Sequence, residues 1–197
     1  MTDLNVTALF PTFIFAKDYP DSSNLNPRLA RASFQLRRQD PDGVRISNRI
    51  GWQSQDDLNT HADFAPFVDF VEQTLREIKE FLLVDDDLTL RVSTCWVNIN
   101  GEGGFNTRHI HGNAYFSGVY YVKVPTDSGV IRFFDPNPVR ECFHLPYKEI
   151  DAKNCFHHSV KPVEGRILIF PGYVAHDVSI NRSIDERISI SFNVGAR

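Results

Sequence analysis

The chain has 197 residues, 42% of them hydrophobic and 23% charged, which is enough to bury a full core and excludes a disordered segment. A net charge of −4 argues against general affinity for nucleic acid, and no apolar run approaches the roughly 20 residues that cross a bilayer. Met1 to Tyr19 lacks the basic start and apolar centre of a secretory signal, and three cysteines (Cys95, Cys142, Cys155) form no regular pattern, so a reducing cytoplasm is expected.

In chain order, residues 8–16 read as a strand, with Pro11 marking an edge or bulge. Asn26-Pro27 opens a helical segment that runs to Arg38 and stops at the turn Asp40-Pro41-Asp42-Gly43. The clearest helix spans Asp63 to Leu83: Asp63 is a candidate N-cap, and Phe64, Phe67, Val68, Val71, Leu75, Ile78 and Leu82 keep a 3.6-residue period. Asp85-Asp86-Asp87 ends it as a solvated turn. From Leu88 the texture becomes β-rich, with short runs at 88–100, 115–124, 129–134, 142–147, 156–161, 166–170, 174–180 and 187–194. Many short strands separated by Gly, Pro, Asn or Asp predict a sandwich or barrel, with the two helices packed on one sheet. No repeat or linker interrupts the chain. A single domain over 1–197 is expected, mainly β with α, divided into a helical front (1–87) and a β core (88–197).

The chemistry concentrates in that core. His109 and His111 stand at i and i+2, a spacing that puts both imidazoles on one face of an extended strand. His176 lies just past the strand that ends at Pro171-Gly172. It can join the pair only if the sheet folds back on itself. The last strand, Arg187 to Val194, is polar at every odd position and apolar at every even one. Lining a small barrel, it would aim Arg187, Ser189, Ser191 and Asn193 into a wet pocket. The plainer alternative is an amphipathic edge strand.

HIHGN at 109–113, SGVYYVKVP at 117–125, SGVIRFFDP at 128–136, PVEGRILIFPGYVAHDV at 162–178 and ERISISFN at 186–193 together resemble the double-stranded β-helix core of Fe(II)/2-oxoglutarate-dependent oxygenases. The branch they most resemble is prolyl-hydroxylase-like, and within it a family of marine bacteria and phages. ALFPTFIF near the N-terminus and Gly51-Trp52-Gln53-Ser54 are similar to that narrower family, so the resemblance covers nearly the whole chain. It implies a jelly-roll, cupin-like fold and a C–H hydroxylase that uses Fe(II), molecular oxygen and 2-oxoglutarate and releases succinate and CO2. His109 and His176 would be the two iron-binding histidines. Arg187 would grip the far carboxylate of 2-oxoglutarate, with Tyr120 hydrogen-bonding the same carboxylate. Ser189 belongs to the same RxS stretch as Arg187, and Asn98, on the strand before the metal loop, would line the pocket. The departure is His111, which stands where the family carries Asp or Glu. Either it completes an all-histidine triad, or it points away and water takes its place. Asp135 and Asp177 are the nearest other acids.

Two other readings compete. HxH after Gly103, with Gly165, Pro171-Gly172 and His176 downstream, partly matches the motifs of cupin-type metal enzymes. A non-catalytic metal or small-molecule binding protein would also carry these residues. His157-His158 reads as an exposed strand or loop, Trp52 and Trp96 as core, and His61 and His144 have no identifiable partner. The substrate, a peptide side chain or a small molecule, would be chosen by loops 40–60, 104–115 and 135–155.

Overall fold

The computed structural model describes residues 4–142 and 145–197. Its elements in chain order are β1 (Phe15–Asp18), α1 (Ser22–Gln39), β2 (Asn48–Gln53), α2 (Ala65–Leu82), β3 (Leu90–His109), β4 (Phe116–Lys123), β5 (Ile131–Phe134), α3 (Val139–Cys142), β6 (His157–Val160), β7 (Arg166–Pro171), β8 (His176–Val178) and β9 (Arg187–Ala196). Hydrogen bonding links the strands in the order β1-β7-β4-β9-β3-β8-β5-β6, with β2 added to β3. Every named strand pair is antiparallel.

The long strand β3 makes two walls from this path. Its first half, Leu90 to Asn100, pairs with β9, and its end pairs with β8 at His109↔His176. Val119 and Tyr121 of β4 and Leu168 and Phe170 of β7 pack in one cluster with Ile131 and Phe133 of β5. Those strands are far apart along the sheet, so the two walls face each other as a jelly-roll. The outer face of the β1-β7-β4-β9-β3 wall carries the larger core. Val97, Ile99, Ile190, Phe192 and Val194 meet Leu25 and Leu29 of α1 and Phe67, Val71 and Leu75 of α2. Each fully buried side chain of this kind contributes about 1.5–3 kcal/mol.

Several boundaries differ from the sequence expectation for local reasons. α1 begins at Ser22, with Pro27 inside it. Asn26-Pro27 reads as a helix start, but the Asn26 side chain is buried and accepts a hydrogen bond from Tyr120 Oη at 2.7 Å. Asp63 does not cap α2; a 3-10 turn (Ala62–Phe64) precedes it, and Leu83 ends it in the left-handed region at φ 54°. β1 is confined to the four residues that pair with β7, and residues 8–14 carry no strand. β2 arises inside the expected loop 40–60, without any alternation to announce it. The strand expected over 142–147 overlaps residues 143 and 144, which lie outside the described residues, as does His144 with them; Cys142 itself is helical.

Candidate metal centre

Pairing of β3 with β8 sets His109 directly opposite His176, and His111 follows in the turn after β3. One ligand nitrogen from each of the three lies within 4.8 Å of the others. The His109 ring centroid is 4.4 Å from that of His176 and 5.0 Å from that of His111. His109 Nδ1 contacts the Thr107 carbonyl at 2.7 Å, and His176 Nδ1 contacts the Val174 carbonyl at 3.0 Å. A carbonyl only accepts, so both rings carry their proton on Nδ1 and present a bare Nε2 lone pair. Burial, and then the positive charge of neighbouring rings, holds His111 down at about 4 and His176 at about 3, and burial lowers His109 as well. Imidazoles kept neutral in this way are ready to ligate a metal.

No carboxylate joins the cluster among the described residues. Asp177, the residue after His176, faces the other way and is bound at both oxygens by Arg132, at 2.7 and 2.5 Å. Asp135 accepts from the Asn137 amide and pairs with Arg140 at 2.6 Å. Both acids are already engaged, which leaves three neutral nitrogen donors held from two strands and one turn. Imidazole sets of this kind suit Fe, Zn, Cu or Ni, so the residues present fit a divalent iron site.

The histidines open onto a narrow cleft between the two walls. Arg187 lines it, only 2% exposed. One terminal nitrogen donates to the Ser128 carbonyl at 3.0 Å, while Nε has no partner. Burial lowers the pKa of this guanidinium, and no acid among the described residues pairs with it. A buried cation with a spare donor is costly unless an anion completes it. A carboxylate reaching this guanidinium would meet that requirement, since its two oxygens match the planar fork.

The sequence-predicted residues divide between cavity and core. Asn98, Ser189 and Ser191 line the cleft, with Asn98 Nδ2 donating to Ser191 Oγ at 3.2 Å and Asn98 Oδ1 unpartnered. Asn193 does not line it and donates to Thr94 instead, at 3.1 Å. Tyr120 is also outside the cleft. It sits opposite Ile190 on the helix-facing side, wholly buried between Tyr19 and Phe67, with its hydroxyl on Asn26. Its neighbour Tyr121 is the cavity tyrosine, opposite Ser189, and burial raises its pKa so that the phenol stays a hydrogen-bond donor. Because β4 is apolar on both faces, alternation gives the strand no phase, and the two tyrosines cannot be told apart from sequence. Trp52 is buried as expected, but Trp96 is not core: it lines the cleft, its ring centroid 6.0 Å from that of His111. Ser47 and Asn106, bonded to each other at 3.1 Å, line it too, and nothing in the sequence marked them. His157 and His158 are exposed on β6, and His61 lies 3.8 Å from Asp57, all away from the cluster.

A family profile described as "Putative 2OG-Fe(II) oxygenase" matches residues 94–193, which carry all three histidines and Arg187. Among solved structures, the fold is similar to a prolyl-4-hydroxylase from Pseudomonas putida (19% identity, TM-score 0.65, covering 92% of each chain). It is also similar to the viral collagen prolyl hydroxylase of Paramecium bursaria Chlorella virus-1, solved as a 2OG complex (14% identity, TM-score 0.61, covering 92% of this chain and 94% of that one). A third similar structure is HygX from Streptomyces hygroscopicus with nickel, 2-oxoglutarate and hygromycin B bound (12% identity, TM-score 0.64, covering 93% and 83%). At these identities the likeness is one of fold. No curated protein matches the sequence.

Proposed function

The chain belongs to the 2OG-Fe(II) oxygenases, and from that premise we propose that His109, His111 and His176 hold the iron while Arg187 and Tyr121 hold the far carboxylate of 2-oxoglutarate. The observation that carries this reading is the buried Arg187, with its unpartnered Nε, in the same cleft as the three bare histidine nitrogens. Bound together, iron and 2-oxoglutarate supply the oxidising chemistry: oxygen is consumed, succinate and CO2 are released, and a substrate C–H bond becomes C–OH.

The chain's own residues orient and shield. The Thr107 and Val174 carbonyls fix the tautomer and direction of His109 and His176. Arg187 and the Tyr121 hydroxyl give 2-oxoglutarate one register, with Ser189 beside them on the same wall. The apolar Val119, Ile131, Phe170 and Val178 in the lining help to exclude water from the cleft. Trp96, Asn98, Ser189 and Ser191 add polar groups to the same lining. The reacting part of the substrate has to reach the histidines through this lining. A peptide side chain and a small molecule both satisfy this.

The whole chain, 1–197, acts as a single oxygenase domain, with the helices backing the wall that carries Arg187. Among the described residues, no helix is long and apolar enough to cross a membrane. The three cysteines are free, which supports a reducing compartment, the cytoplasm, and the net charge of −4 disfavours a nucleic-acid partner. Calorimetric titration of the cobalt-loaded protein with 2-oxoglutarate tests the assignment. One equivalent should bind to the native protein and weakly or not at all to Arg187→Ala; equal affinity in both would refute it.

A further inference from the structure

We propose that Gly172 is a positioning residue for the metal centre: its missing side chain lets the turn after β7 press against the turn that carries His111. The inference rests on His111 being a ligand. Two backbone bonds clamp the turns together, from the His111 amide to the Gly172 carbonyl at 2.8 Å and from the Gly172 amide to the Tyr115 carbonyl at 3.1 Å. A Cβ at 172 would stand 2.2 Å from the Ala114 carbonyl oxygen and 2.7 Å from that of His111. Both are backbone atoms that cannot rotate away. Restoring ordinary contact at 3.4 Å needs a shift of about 1.2 Å at Ala114 and about 0.7 Å at His111. Metal–ligand distances tolerate about 0.2 Å.

Burial decides which turn gives way. Phe170 and Val174 are 1% exposed on either side of Gly172, and the Val174 amide is tied to Pro171. Gly112, Asn113 and Tyr115 are exposed. The His111 turn therefore yields, and the third nitrogen leaves its place while His109 and His176 keep theirs. Gly112, in the same turn, has nothing within 4 Å of its missing Cβ and provides a control.

The test is a double-mutant cycle on the full chain, read by cobalt(II) binding and the visible spectrum of the bound ion. Gly172→Ala should weaken cobalt binding about tenfold to a hundredfold, the range seen when support around a ligand is lost. Its spectrum should match that of His111→Ala. In the His111→Ala background it should cause no further loss, and Gly112→Ala should bind as the native protein does. Native-like binding by Gly172→Ala, or losses that multiply in the double variant, would overturn the inference. If His111→Ala itself binds cobalt normally, the three-histidine reading falls and takes this inference with it; loss in His111→Ala alone brings down only the role of Gly172. Should Gly172→Ala not fold, amide exchange in the native protein decides. The His111 and Gly172 amides should exchange slowly, and more slowly with cobalt bound; fast exchange indifferent to cobalt contradicts the clamp.

Discussion

Adjacent tyrosines on β4 have separable jobs. Tyr121→Phe removes a donor from the cleft and should weaken 2-oxoglutarate binding by about 1 kcal/mol, roughly fivefold, with the melting temperature little changed. Tyr120→Phe should leave that affinity untouched. It strands the buried Asn26 Oδ1, which should cost about 1–3 kcal/mol of stability in denaturant unfolding. Arg187→Ala removes charge-assisted bonds and should weaken 2-oxoglutarate by about 2–3 kcal/mol, a factor of thirty or more by calorimetry. The histidines themselves were readable because HxH and a distal His can share a pocket only in a folded-back sheet. Tyr121 and Trp96 were not. An aromatic residue on a strand buried on both sides carries no mark of which face is cavity and which is core.

Strands differ in how much of their placement the residues announce. The polar-odd, apolar-even rhythm of β9 fixes its phase, and Ile188, Ile190, Phe192 and Val194 all enter the core while Arg187, Ser189 and Ser191 face the cleft. α2 was equally legible from its period. β2 was invisible: Asn48 to Gln53 has no alternation, and it is a strand because β3 offers it an edge. The β-run expected over 88–100 is shorter than β3. The strand carries on to His109, with Gly103 at φ 79° taking up the bend. The fit between β4, β7 and β9 is close enough to test. A Cβ at Gly118 would lie 2.2 Å from the tip of the Phe192 ring and 2.7 Å from the Leu168 carbonyl. Gly118→Ala should therefore destabilise the fold by about 1–3 kcal/mol in chemical denaturation.

Across the whole molecule, the metal centre links stability to pH. Each histidine of the triad has a folded-state pKa below its usual 6.5, with His111 at about 4 and His176 at about 3. Below 6.5 the unfolded chain takes up protons that the metal-free fold refuses, so its stability falls as the pH drops. The contribution is fully present above 6.5 and is lost progressively toward 4 and below. The metal-free protein should thus show a melting temperature that declines from pH 6.5 to 4. A divalent metal should raise the curve at neutral pH, because the folded site gathers three ligands and binds it more tightly than the unfolded chain does. A flat profile over that range would mean the rings are not buried together as described.

The family assignment and the arrangement of His109, His111, His176, Arg187 and Tyr121 converge on one event, the joint binding of iron and 2-oxoglutarate in the cleft. Anaerobic titration of the Fe(II)-loaded protein with 2-oxoglutarate tests it most directly. The expected result is a saturable visible charge-transfer band at one equivalent, lost in His176→Ala and shifted to much higher 2-oxoglutarate concentration in Arg187→Ala. A native protein that holds iron yet develops no band and binds no 2-oxoglutarate would contradict the account.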